Sequence, residues 1–522
     1  AVTLKGIQTN SNDGIGIRID NSSAASAKTV TMTDIRANEN GNRNVWVDSK
    51  GTVTITNLDA SHVSVSGSTE AVYINTQGGA ALKATYPSAN EFYQLPAYNG
   101  TPLKITAGGN VSVDQFISYY GGPNGIHIDA SSGSGSVTIS NTSLSNTNGT
   151  VIYVKAKGAI TLNNVDAQYS AAGLGASLDN GDGTGSVTIK GGTVWNLNTF
   201  SSNFDDGLNI VTKGNVSLMN VQASNNGNAG LGAGIRVGGT NTGSVTMTNI
   251  TATGNQAQGV LINSRSSITL KSVTVSNNGS AAEGALLNNT FASGASPVTI
   301  NGGTFNSNGK DNLKVESKGA ITVQDISASF SANGYGVYLD NTAGTTAGVK
   351  LIESKGQELK TNKNKLDGVF INSKGTVTVS GLESLSNDEL GLHIDNDSGS
   401  GSVTLSNIYV AYSDKSGIEV YTAGALTGTK IDAIYNGVDD STGNGLLVNA
   451  LAGNGKVTLT GLTLSQNYDD NLKVDAKNTI TVKSIYSFDS FQGYGADLNN
   501  ATGSGGVSVI NLTFEDEYFQ GN

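Results

Sequence analysis

The stretch from Gly375 to Ala423, GTVTVSGLESLSNDELGLHIDNDSGSGSVTLSNIYVAYSDKSGIEVYTA, holds two turns of one pattern. Each turn opens on an apolar-Thr-apolar triplet, Val377-Thr378-Val379 and then Val403-Thr404-Leu405. A second short apolar pair follows, then a corner of Ser, Asn and Asp, then a third strand at Leu392 to Ile394 and at Ile418 to Val420. Side chains alternate across a strand, so the residues flanking each Thr point inward and the Thr points out. Three short strands per turn, parted by polar corners, describe a coiled β-solenoid, in which each repeat buries its apolar face only against its neighbours.

The same triplet can be followed outward in both directions. Its middle residue recurs from Thr3, Thr31, Thr54, Lys83 and Ser112 to Thr458, Thr481 and Ser508, about twenty coils in about ten double repeats. Coils alternate in their closing turn. One kind passes through a Gly-rich corner, as in LDNGDGTGS at Leu178. The other turns tightly and repeats a basic residue at Lys50, Lys157, Lys213, Arg265, Lys318, Lys374 and Lys477, which reads as a solvated row that discourages unwanted edge pairing. Asn recurs at the corner before the third strand, including Asn12, Asn146, Asn203, Asn225, Asn255, Asn277, Asn333, Asn387 and Asn467. Asn tolerates left-handed backbone and its amides can bond one another, so these are structural residues.

Composition bounds the function. Only 14% of the 522 residues are charged and 69 are Gly, so the chain orders only if a regular ladder satisfies its polar groups. The absence of Cys excludes disulfides and thiolate metal sites. A net charge of −11 argues against nucleic acid, which needs a basic footprint. No apolar run is long enough for a membrane span. The expectation is one continuous domain over 1–522, extracellular or on a cell surface. Because the first residues are already a repeat and the last stop short of a third strand, a segment of a longer chain is expected.

Two regions depart from the repeat. Residues 81–108 hold Pro87, Pro96 and Pro102 with Tyr86, Phe92, Tyr93 and Tyr98, followed by Tyr119 and Tyr120. Proline cannot donate to a ladder, so a protruding loop is expected, and its aromatic faces are the candidate glycan or partner contact. Late in the chain Tyr412, Tyr435, Tyr468, Phe488 and Tyr518 fall near one corner and suggest an aromatic ladder. Calcium candidates are Asp179 and Asp182 in LDNGDGTGS and Asp395 and Asp397 in DNDSGSGS, as a structural ion only.

Through its GSVTxSN and Gly-apolar-x-apolar-Asp/Asn repeats the whole chain resembles the right-handed parallel β-helix superfamily of pectate lyases, polygalacturonases and alginate epimerases. It looks most similar to long, low-complexity β-helix proteins of bacterial surfaces. The fold implied is all-β, a single-stranded right-handed parallel β-helix. Hydrolase-like chemistry would imply Gly-His-Gly and Arg-x-Lys, and neither occurs. The acidic pairs Asp205-Asp206, Asp439-Asp440 and Asp469-Asp470 stand at equivalent corners, so the repeat accounts for them. Lyase-like chemistry would want an arginine above the substrate, and NVWVDSK at Asn44 lacks the histidine of the motif it resembles. Epimerase-like chemistry would want Tyr, His and Asp together, whereas His127 and His393 read as exposed strand residues and His62 stands alone.

No catalytic or cofactor-binding set is assigned. The expected function is that of a non-enzymatic extracellular structural repeat protein, a segment of a bacterial fibre, sheath or adhesin that self-associates by stacking or lateral contact. The alternative is a carbohydrate-binding or carbohydrate-active β-helix of lyase, epimerase or phage-tailspike type, with a polysaccharide as partner.

Overall fold

The two-residue alternation carries directly into the backbone. The computed structural model describes residues 1–60, 70–84, 100–192, 197–228, 231–238, 243–344, 346–500 and 503–514. They divide into two compact units, Ala1–Ser264 and Arg265–Asn522. Among the described residues every regular element is a β-strand.

In the first unit the opening strands run from Val2–Lys5 to Val245–Thr251 and pair in parallel from coil to coil. Val137 stands between Val111 and Ile160, and Thr138 between Ser112 and Thr161. The third strands, Ile17–Asn21 to Val260–Asn263, make a second parallel ladder in which Ile126 lies between Leu103 and Ile152. The second unit repeats both ladders, from Ile268–Thr274 to Val507–Phe514 and from Ala285–Asn288 to Asp497–Asn499. This is the all-β parallel β-solenoid that the triplets predict. One register differs, because Ala81 and not Lys83 pairs between Thr54 and Ser112. Of the stretch expected to leave the stack, Ala80–Ala84 and Leu103–Ala107 are ladder strands, and residues 85–99 lie outside the described residues.

Inward residues form continuous apolar columns. Val137, Ile139, Ile160 and Leu162 are all fully buried, each worth about 1.5–3 kcal/mol of transfer free energy before chain entropy is counted. Where Gly303 leaves the interior column empty, Phe305 fills it, and a Cβ on Gly303 would stand 2.8 Å from the Phe305 ring.

The corners separate into two functions that the Asn pattern merges. Asn146, Asn225 and Asn277 are themselves left-handed, with φ of 55° or 56°. One residue further on in the coil, a different set turns inward and forms a buried amide ladder. The backbone and side-chain N–H groups of Asn203 both donate to Asn226 Oδ1 at 3.0 Å, and those of Asn226 both donate to Asn255 Oδ1 at 3.0 Å. Asn364 to Asn387 and Asn436 to Asn467 repeat the geometry in the second unit. Asn333, expected with this group, is exposed and donates to the Gly309 carbonyl instead. The ladder explains the Gly that precedes many of the third strands. A Cβ on Gly445 would lie 2.5 Å from Asn467 Nδ2, and one on Gly336 would lie 2.6 Å from Asn364 Nδ2.

The basic row has a specific task at three of its positions. Lys50, Lys318 and Lys374 reach back through Nζ to the carbonyls of Ala24, Ala292 and Thr342, at 3.2, 2.9 and 2.8 Å. Each thereby caps a turn of the preceding coil.

Candidate functional site

On a third strand the residue between two buried apolar positions faces outward, and parallel pairing sets it about 4.8 Å from its counterpart in the next coil. In the second unit that outward row reads Lys314, Tyr338, Phe370, His393, Glu419. These residues are more than twenty positions apart in the chain, and only the register joins them.

The rings pack as a row. Tyr338 and Phe370 stack with centroids 5.2 Å apart and planes at 18°. His393 stands edge-on to Phe370 at 4.9 Å, and Tyr421 follows at 5.8 Å. Tyr335, from the corner before its strand, lies 5.5 Å from both Tyr338 and Phe370. At the other end Lys314 Nζ sits 5.1 Å from the Tyr338 ring centroid, a favourable cation–π contact.

Carboxylates border the row, and their first task is structural. Asp311 Oδ1 accepts from the amide of Tyr335 at 3.0 Å, and Asp367 Oδ1 from that of Leu390 at 3.0 Å. Asp206 accepts from Ala233 and Asp470 from Tyr494 at the equivalent corner, each at 2.7 Å. Two of the acidic pairs noted in the sequence therefore contribute a carboxylate that ties one coil to the next. The second oxygen of Asp367 lies 3.4 Å from His393 Nδ1, and the Tyr421 hydroxyl donates to Glu419 Oε2 at 3.1 Å.

This environment sets the protonation of the phenols. Burial, followed by the negative charges of Asp367 and Asp311, pushes Tyr335 up to about 12. Burial with Asp340 and Glu316 does the same for Tyr338, and burial with Glu419 for Tyr421. Burial also raises the Asp311 carboxyl above its ordinary range, against the amide bond it accepts. The face therefore offers hydroxyl donors and carboxylate acceptors around an aromatic centre.

The corresponding row of the first unit reads Arg18, Trp46, Tyr73, Lys104, His127, Tyr153. Here the chain's own cations occupy the rings. The guanidinium carbons of Arg18 and Arg43 lie 4.6 and 4.8 Å from the Trp46 centroid, while Glu70 binds Arg43 at 2.7 Å and Lys104 at 3.1 Å. Burial works to raise the Glu70 carboxyl, but the bonds from Arg43, its own amide and Lys104 hold it below the usual range. His127 stacks on Tyr153 at 4.7 Å, and burial, with Lys104 nearby, lowers its pKa.

Both strand histidines thus differ from the expectation of exposed residues: each is half-buried against rings of neighbouring coils. Of the expected contact residues, Tyr86, Phe92, Tyr93 and Tyr98 lie outside the described residues, as do His62 and Tyr518. Tyr119 and Tyr120 are half-buried beyond the short strand Ile117–Ser118. Of the late corner aromatics, Tyr412 and Tyr435 stack at 5.4 Å with planes at 8°, whereas Phe488 contacts Tyr486. Among the calcium candidates, Asp182 pairs with Lys155 at 3.1 Å and Asp179 accepts from the Gly181 amide at 2.9 Å. Asp395 accepts from the Asp397 amide at 3.5 Å, and Asp397 is raised by burial and by Asp395. Among the described residues no three acidic or histidine side chains converge as a metal site.

No family model matches the chain and no curated protein matches it. Among solved structures, the chain is similar to the receptor binding domain of the Siphovirus 9NA tailspike at 9% identity and a TM-score of 0.26, covering 80% of this chain and 73% of that one. It is also similar to the A-module of a mannuronan C-5 epimerase from Azotobacter vinelandii at 10% identity and a TM-score of 0.24, covering 90% and 89%. Scores of that size carry no conclusion about this chain, and the parallel β-solenoid rests on its own ladders.

Proposed function

We propose that the chain is a non-enzymatic extracellular structural repeat protein, part of a bacterial surface fibre, sheath or adhesin, whose third-strand face in the second unit contacts polysaccharide. The observation that carries this reading is the row Tyr338–Phe370–His393 with its rim of carboxylates and phenols. Aromatic rings among hydrogen-bonding groups suit sugars, which present apolar C–H faces and polar edges together. Proton abstraction needs a base with a pKa near the working pH. Tyr335, Tyr338 and Tyr421, pushed up to about 12, favour the role of donors over that of bases, and Asp311 and Asp367 are engaged with backbone amides. Self-association into filaments or sheaths belongs to the same reading and is tested by electron microscopy of the native material.

The test pairs binding with turnover. Purified chain is incubated with neutral, amino-sugar and uronate polysaccharides, and retention is measured beside release of reducing ends or unsaturated products. Retention without product, weakened at least about tenfold by Phe370→Ala, is the expected result. Product formation abolished by His393→Gln would replace this reading with an enzymatic one.

A further inference from the structure

The second unit carries a concave surface on the other ladder from the aromatic row. Most coils bend between their opening and second strands at a left-handed residue. In the first unit that column is bridged along much of its length by its own side chains, and the hollow at the bend beside Asn141 and Asn164 is only about 230 Å³. Asn57 donates to Asp34 at 2.8 Å, Asn141 to Asp114 at 2.9 Å, Asn164 to Asn141 at 3.1 Å and Asn249 to Asn220 at 2.7 Å. Over five successive coils of the second unit the column reads Gly381, Asn407, Lys430, Gly461 and Ser484, all with φ between 53° and 76°. Two positions there have no side chain, and a lysine occupies a conformation that Gly, Asn and Asp adopt more readily. The bend opens as a groove of about 770 Å³.

One wall of the groove is an in-register column on the second strands: Glu383, Tyr409, Asp432, Thr463, Tyr486. Tyr409 is 39% exposed, and burial with Tyr412, Asp432 and Glu383 nearby raises its pKa, so its hydroxyl stays a donor. Three coil steps separate Tyr409 from Tyr486, or about 14 Å along the coil axis. Ile408 and Leu462 form an apolar floor. The turn at 353–358 closes one end with Glu353 and Glu358. Lys360 is engaged by Glu358 at 3.0 Å and lies 3.9 Å from Glu383.

We infer that this groove binds an oligosaccharide of neutral or amino sugars lying along the coil axis between Tyr409 and Tyr486. The two rings supply platforms for the ends of a short glycan, and Asp432 with Lys430 supplies polar contacts between them. Carboxylates outnumber cations on the lining, so a uronate chain is disfavoured by like charge. The inference shares with the function proposed above only the class of ligand, since it concerns a different face.

The experiment is titration calorimetry of the full chain with a chito-oligosaccharide, a cello-oligosaccharide and an oligogalacturonate. The expected result is binding of one of the first two over the third, weakened at least about tenfold by Tyr409→Ala and retained in Tyr409→Phe, both made on a Phe370→Ala chain so that the third-strand row contributes nothing. A further variant, Thr463→Arg, places a cation mid-groove and shifts preference toward the oligogalacturonate, an outcome that does not depend on Tyr409→Ala folding. Binding lost in Phe370→Ala but kept in Tyr409→Ala would overturn the groove and leave the third-strand face standing. Preference of the native chain for the oligogalacturonate, or binding of none of the three, would also overturn it.

Discussion

Asn226 shows how much one side chain does in this chain. Its Oδ1 accepts two N–H groups of Asn203, while its own amide donates to the Phe200 carbonyl at 2.9 Å and to Asn255. All of these groups are buried, so truncation leaves donors without water or partner. Asn226→Ala is expected to lower stability by about 2–4 kcal/mol. Its neighbour Asn225 occupies a left-handed corner with φ 56°, and Asn225→Gly is expected to change stability by less than about 0.5 kcal/mol. Urea unfolding midpoints of the two variants check the contrast, and equal losses would show that the ladder is not what holds the corner. That Asn recurs at this corner is legible in the sequence. Which of two adjacent Asn residues turns inward is not, because both roles favour the same residue type and only the backbone of the corner separates them. The Gly before the third strand follows once the ladder is known, since it is the amide of another coil that a Cβ would strike.

At the scale of the element, strand identity was readable and strand neighbourhood was not. Apolar-Thr-apolar triplets mark the opening strands by alternation alone. The row Lys314, Tyr338, Phe370, His393 exists only because parallel pairing superposes residues from successive coils of unequal length. A histidine that reads in the sequence as an exposed strand residue is thereby placed between Phe370 and Tyr421. The row makes a prediction about alkaline pH. The folded values of Tyr335, Tyr338 and Tyr421 are raised from 10.0 to about 12. The folded chain therefore holds these protons more tightly than the unfolded one, and stability is fully present below pH ~10 and is lost as pH rises through ~12. Spectrophotometric titration of phenolate should show a late-titrating class that shrinks by one tyrosine in Tyr338→Phe. Titration of all tyrosines near 10 while the chain remains folded would contradict the packed row. The bend groove was likewise invisible in the sequence, since Gly381 and Gly461 look like ordinary turn residues until the amide-bridged Asn column of the first unit stands beside them.

At the scale of the molecule, what distinguishes this chain from a globular protein of 522 residues is that its interior has no centre. Each inward residue touches the residue at the same position in the coil before and the coil after, so stability is a sum of nearest-neighbour contacts. That explains how a chain with 14% charged residues and 37% hydrophobic ones orders so long a sequence of small strands. It also explains why outward residues can vary from coil to coil and build different surfaces on one scaffold: cations over Trp46 in the first unit, a carboxylate-rimmed ring row and an open groove in the second. The same locality should govern damage. Ile139 is fully buried between Val113 and Leu162, and Ile139→Ala removes about 2–5 kcal/mol of packing. Hydrogen exchange of that variant is expected to accelerate in Val111–Asp114, Val137–Ser145 and Ile160–Gln168, while Val216–Gln222 in the same unit keeps its protection. Uniform acceleration throughout Ala1–Ser264 would mean that the unit unfolds as one cooperative body. A face engineered or evolved on one coil would then be constrained by all the others, rather than only by the two it touches.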